Sequence, residues 1–317
     1  MNHRLIVLGA ATGLFLFLAG CGGDSTNPGG DGGNDAGVAS DTGSPTDGGG
    51  QADSGGNADS GDNDSAAPDS GSPWDPSKLG SSALVVWLDA AKGVTQSNNA
   101  VSAWADQSGN NNNAAQATQA RQPLLVANVI NGKPVMRVDG TNQQYFTIAD
   151  AASLRWGTGD FTVMEVTAWT NTASTNDNTG YGALWVKVGP NTPFPGASLF
   201  ANNASGPTGA ARAQVTINLF AASANTNLNN GSFRVVGMRR AGTTLEVRVG
   251  GAQAGMVANA TTNIDAMGVS VFIGGREGNG AKQMLKGDIA EVIAVKGALS
   301  DPDLASLEGY LKAKYAL

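Results

Sequence analysis

Acid–base chemistry in this chain has to be done almost without histidine. The one histidine among 317 residues is His3 and the one cysteine is Cys21, both near the N-terminus. That excludes a Ser-His-Asp triad, an H-E-x-x-H zinc site and a histidine proton shuttle in the body of the protein. A single cysteine also excludes a disulfide within the chain. Carboxylate chemistry remains. Two carboxyls about 5–5.5 Å apart suit a retaining glycosidase, and about 6.5–9.5 Å apart an inverting one. Glu165 stands alone in its apolar run, and Asp288 and Glu291 are three residues apart, which a regular strand turns to opposite faces. Carboxylates from separate strands can still converge, so a glycoside hydrolase with an atypical pair stays open beside the expectation of no catalysis. Sugar binding needs an exposed aromatic face with polar neighbours. Trp156, Trp169, Tyr181 and Trp185 are the residues available for ligand binding, because Trp87 and Trp104 fall in runs expected to be buried. The competing expectation for each tryptophan is a place in the core.

Strands must position these side chains. Residues 84–89 form an apolar run with little alternation, as expected of a strand covered on both faces. Further runs at 101–106, 133–138, 145–148, 161–169, 183–188, 198–200, 214–220, 233–238, 245–249, 269–273 and 288–295 are separated by Gly and Asn turns. Asn131-Gly132 and Ala241-Gly242 are hairpin signals. Residues 245–249 alternate cleanly, which predicts one wet face. About a dozen strands without a βαβ rhythm indicate an all-β sandwich or barrel. One helix is predicted at 300–316. Ser300 is its N-cap with Asp303 three residues on, and Pro302 sits in the first turn. Leu304, Leu307 and Leu311 share a face, with Tyr315 near it. Lys312 and Lys314 suit the C-terminal end of the dipole and are expected in solvent.

Charge divides the chain. Residues 22–77 carry eleven aspartates and no Lys, Arg or Glu, a charge of −11. Residues 78–317 carry 18 Lys and Arg against 15 Asp and Glu, a charge of +3. The acidic part is Gly, Asp, Ser, Asn and Pro with few apolar residues, so it cannot offset its ordering entropy and is expected to be a disordered tether. The nearly neutral remainder has no basic run to follow a phosphate backbone, so nucleic acid is a poor partner.

The N-terminus begins with a basic head, Met1-Asn2-His3-Arg4, followed by an apolar run at 5–18. That run is too short for a bilayer-spanning helix, which takes about 20 apolar residues. It reads as an export signal. Its ending, Leu18-Ala19-Gly20-Cys21, resembles the lipobox of bacterial lipoproteins. The resemblance implies cleavage before Cys21 and lipidation of Cys21, hence a membrane partner through lipid. The domain expectation is a signal peptide at 1–20, a tether at 21–77 and a folded domain at 78–317.

Three stretches of the domain resemble a second family. Trp104-Ala105-Asp106-Gln107-Ser108-Gly109-Asn110 is similar to the W-x-D-x-S-G-N turn of LamG-like jelly rolls in the concanavalin A-like lectin/glucanase superfamily. Val138-Asp139-Gly140 is similar to its F-D-G turn, with Val138 where Phe is usual. Gly287-Asp288-Ile289-Ala290-Glu291-Val292 with Ala298-Leu299-Ser300 resembles its closing strand and terminal helix start. The resemblance implies a two-sheet antiparallel jelly-roll sandwich with a short C-terminal α-helix. Many members bind carbohydrate or protein, and some bind calcium at a rim loop. It brings the two turns together, making Asp106, Asn110, Asp139 and Asn142 candidate calcium ligands against the alternative of turn capping. The superfamily's hydrolases place Glu-x-Asp-x-Glu along one strand face, a pattern this chain lacks.

The reading is a monomeric, lipid-anchored cell-envelope protein displaying a LamG-like domain that recognises glycan or a surface protein, with a non-catalytic structural envelope protein as the alternative. Gly22 follows Cys21, in place of the Asp that marks inner-membrane retention in some related systems, so the outer membrane is expected. Replacing the acylation site tests the anchor. Fractionation of a Cys21→Ser variant should move the protein out of the membrane pellet or leave it uncleaved, because stable anchoring needs more than one acyl chain. Correctly cleaved Cys21→Ser protein that stays in the pellet would sink the lipoprotein reading.

Overall fold

The structure is a computed structural model that describes residues 73–80, 83–170, 180–202, 209–225, 227–278 and 281–317. All described residues belong to one compact unit. Cys21 and the tether up to residue 72 lie outside them.

Among the described residues, seventeen antiparallel strands share one hydrogen-bonded network. It folds into two layers. In the first, Gly287–Lys296 is central, pairing with Phe161–Trp169 on one side and with Leu84–Asp89 and Lys133–Val138 on the other. Arg234–Ala241, Thr244–Val249 and Ala252–Val257 extend this layer beyond Phe161–Trp169. The second layer runs Leu219–Ala222, Ala210–Thr216, Gly196–Asn202, Tyr181–Val188, Val271–Ile273, Phe146–Ile148 and Ala114–Ala115. Leu124–Ile130 joins the layers through a single pairing, Ala100 with Leu124. The main core lies between them and draws Phe161, Val163, Val236 and Val292 from the first and Trp185, Leu199, Ala213 and Ile273 from the second. This is the expected all-β, two-sheet sandwich.

Local chemistry explains the connections. Asn98 and Asn99 both have positive φ, at 49° and 66°, which closes the hairpin between Val94–Ser97 and Ala100–Trp104. The Trp104–Asn110 motif forms a latch on the first strand. Asp106 Oδ1 accepts from the backbone N–H of Trp87, and Asn110 Nδ2 and Asn112 Nδ2 donate to the carbonyls of Leu84 and Val85.

The helix spans Asp301–Tyr315, with Ser300 accepting from Asp303 N as the sequence predicts. Leu304, Leu307, Leu311 and Tyr315 are buried against Leu84, Trp87, Met164, Val166 and Ile293 on the outer face of the first layer. Each buried leucine there is worth roughly 2–5 kcal/mol against truncation to alanine. Two sequence expectations change at this face. The outward side of Thr244–Val249 is not wet, because Arg248 pairs with Glu308 of the helix at 2.6 Å and with Glu246 at 3.3 Å. The packed domain also starts before residue 78. Asp75 caps a 3₁₀ turn at Pro76–Leu79, and Trp74 and Leu79 pack on the helix-side cluster.

Glu165 is the misfit of the core. Period two puts it on the face of Phe161 and Val163, level with Val236 and Val292, in the middle of the sandwich. It is fully buried and neither carboxyl oxygen has a hydrogen-bond partner. Burial alone pushes its carboxyl from 4.5 up to about 8. A folded-state value above the unfolded one means the folded form holds the extra proton. The contribution of Glu165 to stability is therefore fully present below about pH 4.5 and is lost as pH rises through about 8, by up to roughly 5 kcal/mol. Urea denaturation at pH 5 and pH 9 should show this decline, and Glu165→Gln, which cannot ionise, should remove most of it. Equal pH dependence in both proteins would contradict the buried-acid assignment.

Candidate functional site

Two strands and the helix build an acidic pair around one lysine. Asp89 ends the first strand directly opposite Glu291 of the closing strand. A register shift at Ala290 against Phe161–Trp169 accompanies the turn of Glu291 toward the helix. Like charges facing each other across a strand pair repel, and here a cation joins them. Lys314 Nζ lies 2.8 Å from Asp89 Oδ2 and 2.6 Å from Glu291 Oε2. Tyr315 OH donates to Glu291 Oε2 at 2.8 Å, and Tyr310 OH and Trp87 Nε1 donate to Oε1 at 3.0 and 2.6 Å. Asp89 Oδ1 accepts from Ala91 N. Burial pushes the Glu291 carboxyl upward and Lys314 pulls it back. Burial first, and then the charge of Glu291, push both tyrosines up, so they keep their protons and donate. Lys314 is thus drawn into the structure, its side chain 14% exposed, where the sequence expected it in solvent.

Outside this network an open cleft of about 860 Å³ is walled by Trp74, Trp87 and Tyr310, with Asp75, Asp89, Lys92, Lys133 and Lys314 among its polar groups. Trp74 and Tyr310 are half-buried, with ring centroids 5.9 Å apart and planes tilted by 58°. Lys92 Nζ lies 4.8 Å from the centroid of the Trp87 ring. Such a volume falls in the range of small-molecule sites. Both buried acids hold donors on their oxygens and share one ammonium, an arrangement without the separately protonated acid and free base that glycoside hydrolysis uses.

The aromatic residues named from sequence lie elsewhere. Trp169 and Trp185 are fully buried and Trp156 nearly so, filling the sandwich instead of forming an exposed platform. Trp156 stacks between Phe161 at 4.9 Å and Trp185 at 6.1 Å. Tyr181 is half-buried on the far face of the second layer, against Phe200 and Arg212. Trp87 and Trp104 are buried as expected. Trp74 and Tyr310 were missed by sequence reasoning. The signal for Trp74 is a tryptophan where an otherwise aromatic-free segment ends. Tyr310 lies three residues after Leu307, on the flank of the buried stripe.

The calcium ligands do not fit their role. Asp106 accepts from Trp87 N and Ser108 N on Oδ1 and from Ser108 Oγ and Asn112 N on Oδ2, all between 2.7 and 3.0 Å. A cation would have to displace these donors. Asp139 accepts from Thr141 N and Asn142 Nδ2, and Asn110 donates to Leu84 O. The bonds of Asp106 to Ser108 and of Asp139 are turn caps, and those to Trp87 and Leu84 belong to the latch on the first strand. No group of three or more His, Cys, Asp or Glu side chains stands together among the described residues. Asp139, Asn142 and Trp169 do meet Asp288 around a second cleft of about 460 Å³, where Asp288 is held by Arg137 at 2.7 Å. Asp288 and Glu291 therefore serve different clefts.

The geometry defines a two-layer antiparallel β-sandwich with a helix docked on its outer face, and solved structures share it. The binding domain of Paraclostridial Mosquitocidal Protein 1 is similar over 73% of this chain, with a TM-score of 0.53 and 14% identity. An arabinofuranosidase complexed with arabinofuranosyl-α-1,2-xylobiose is similar over 68%, with a TM-score of 0.51 and 14% identity. The chain spans about half of each, 53% and 51% of their lengths. At this identity the likeness shows the fold. No protein-family profile and no curated protein matches the chain.

The ammonium bridge makes a test of the site's frame. Lys314→Met leaves two facing, buried carboxylates and should cost about 3–5 kcal/mol near neutral pH. Without the cation nothing offsets the burial of Glu291 and its carboxyl shifts further upward, so the variant should recover stability as pH falls toward 4 and lose it as pH rises. Lys312→Met should change stability by less than about 0.5 kcal/mol. Urea midpoints at pH 5 and pH 8 decide it, and a Lys314→Met midpoint equal to the parent's at pH 8 would refute the bridge.

Proposed function

We propose that the chain is a cell-envelope lipoprotein that displays a non-catalytic glycan-binding sandwich, with the cleft between Trp74, Trp87 and Tyr310 as its binding surface. The observation that carries this reading is the half-buried Trp74–Tyr310 pair at the mouth of the cleft. Tilted aromatic faces accept the C–H faces of sugar rings, and the surrounding amines and carboxylates supply hydrogen bonds for hydroxyls. Support for binding without hydrolysis comes from the saturation of Asp89 and Glu291 by their donors. The similar arabinofuranosidase, a sugar-handling protein, gives the same fold a carbohydrate context, although a fold alone does not assign a role.

The anchor reading rests on Leu18-Ala19-Gly20-Cys21, and the outer membrane on Gly22. In this reading the acidic tether at 22–72 sets the distance between lipid and sandwich. A flexible chain of about 50 residues has a root-mean-square span of roughly 40 Å, and like charges extend it.

A glycan array with the full-length protein tests the binding surface. At least one glycan class should bind, and Trp74→Ala should weaken it roughly tenfold or more, the loss of one stacking face of about 1.4 kcal/mol, with binding measured well below the variant's own thermal midpoint. An empty array, or binding that ignores Trp74, would overturn the assignment.

A further inference from the structure

Resting on the glycan reading, we infer that the saccharide bound by this cleft is anionic, with a carboxylate or sulfate on the ring that rests against Trp74 and Tyr310. The charges of the cleft divide into committed and open groups. The acids are committed. Asp75 caps its own 3₁₀ turn by accepting from Ser77 N and Ser77 Oγ. Asp89 accepts from Ala91 N and Lys314, and Glu291 from four donors. Both of these acids lie almost wholly out of solvent. Lys314 is held between them.

The two remaining amines are open. Lys133 follows the Asn131-Gly132 turn and closes its hairpin opposite Ile130, which places its side chain at the cleft. No acid lies within ion-pair distance of it among the described residues. Lys92 is 53% exposed and reaches Asp89 Oδ2 only at 4.0 Å, an oxygen Lys314 already holds at 2.8 Å. The face of the Trp87 ring lies beneath the Lys92 ammonium and favours that position without neutralising the charge. A ligand entering the cleft therefore meets two ammonium groups above an aromatic floor, while Asp89 and Glu291 are shut off from solvent and Asp75 has its Oδ1 taken by Ser77. Neutral sugars would leave those amines as they stand in water. A uronate or sulfated sugar gains charge-assisted hydrogen bonds from them.

Isothermal titration calorimetry on the full-length protein tests this with three probes: trigalacturonic acid, its methyl ester and a chondroitin sulfate tetrasaccharide. The ester keeps the ring shape and removes the charge. At low salt at least one anionic probe should bind at least tenfold more tightly than the ester, and raising salt to 0.3 M should narrow the gap through screening. Lys133→Met should abolish the preference at an unchanged thermal midpoint, and Lys133→Arg should keep it. Binding of the chondroitin sulfate probe alone also supports the inference, with the charge carried by its sulfate or its glucuronate. Equal binding of acid and ester, or a Lys133→Met protein with its preference intact, overturns it and leaves glycan binding standing. Failure of all three probes while neutral glycans bind on the array also overturns it. An empty array removes the glycan reading together with this one.

Discussion

The contact between Lys314 and the facing pair Asp89 and Glu291 is the constraint on which the rest depends. It ties the first strand, the last strand and the helix together at one point. Two acids directly opposite each other on neighbouring strands would push those strands apart, and one ammonium turns that repulsion into attachment. The helix is consequently fixed in rotation as well as position. Its leucines supply burial along the length of the face, while Lys314, Tyr310 and Tyr315 set which residues flank the contact. The cleft exists because Tyr310 is held in that orientation, so its wall is a by-product of how the helix is docked.

The sandwich was legible because it follows local rules. Asn131-Gly132, the Ser300 cap and the leucine stripe each depend on residues a few positions apart, and the structure places them as their spacing predicts. The Trp104–Asn110 motif was legible as a turn, though its work as a latch on the first strand needed coordinates. Lys314 was misread for a physical reason. A lysine in the last helical turn is already well placed in the dipole, so nothing local signals the acid 225 residues away that takes hold of it. For the tryptophans at 156, 169 and 185 the structure takes the core alternative, a choice left open because a tryptophan looks the same in sequence whether its ring points in or out. Glu165 shows the same limit in reverse, since its solitary position was evident but not its place between the layers.

The candidate site was the least legible part. It draws on Trp74 at the start of the folded region, Lys92 and Lys133 from turns and Tyr310 from the helix, four places with no common period. Sequence patterns report what a single element buries. A cleft assembled where several elements end leaves no such trace, and its only hint was a tryptophan standing just outside the composition of the acidic stretch before it.

That tryptophan has a mechanical consequence. Among the described residues, Trp74 is the first along the chain whose side chain packs on the sandwich, and it leans on Tyr310. Tension along that chain acts first on this ring pair. Lifting Trp74 away removes half of the surface assigned to the sugar, so pulling and binding compete for the same two rings.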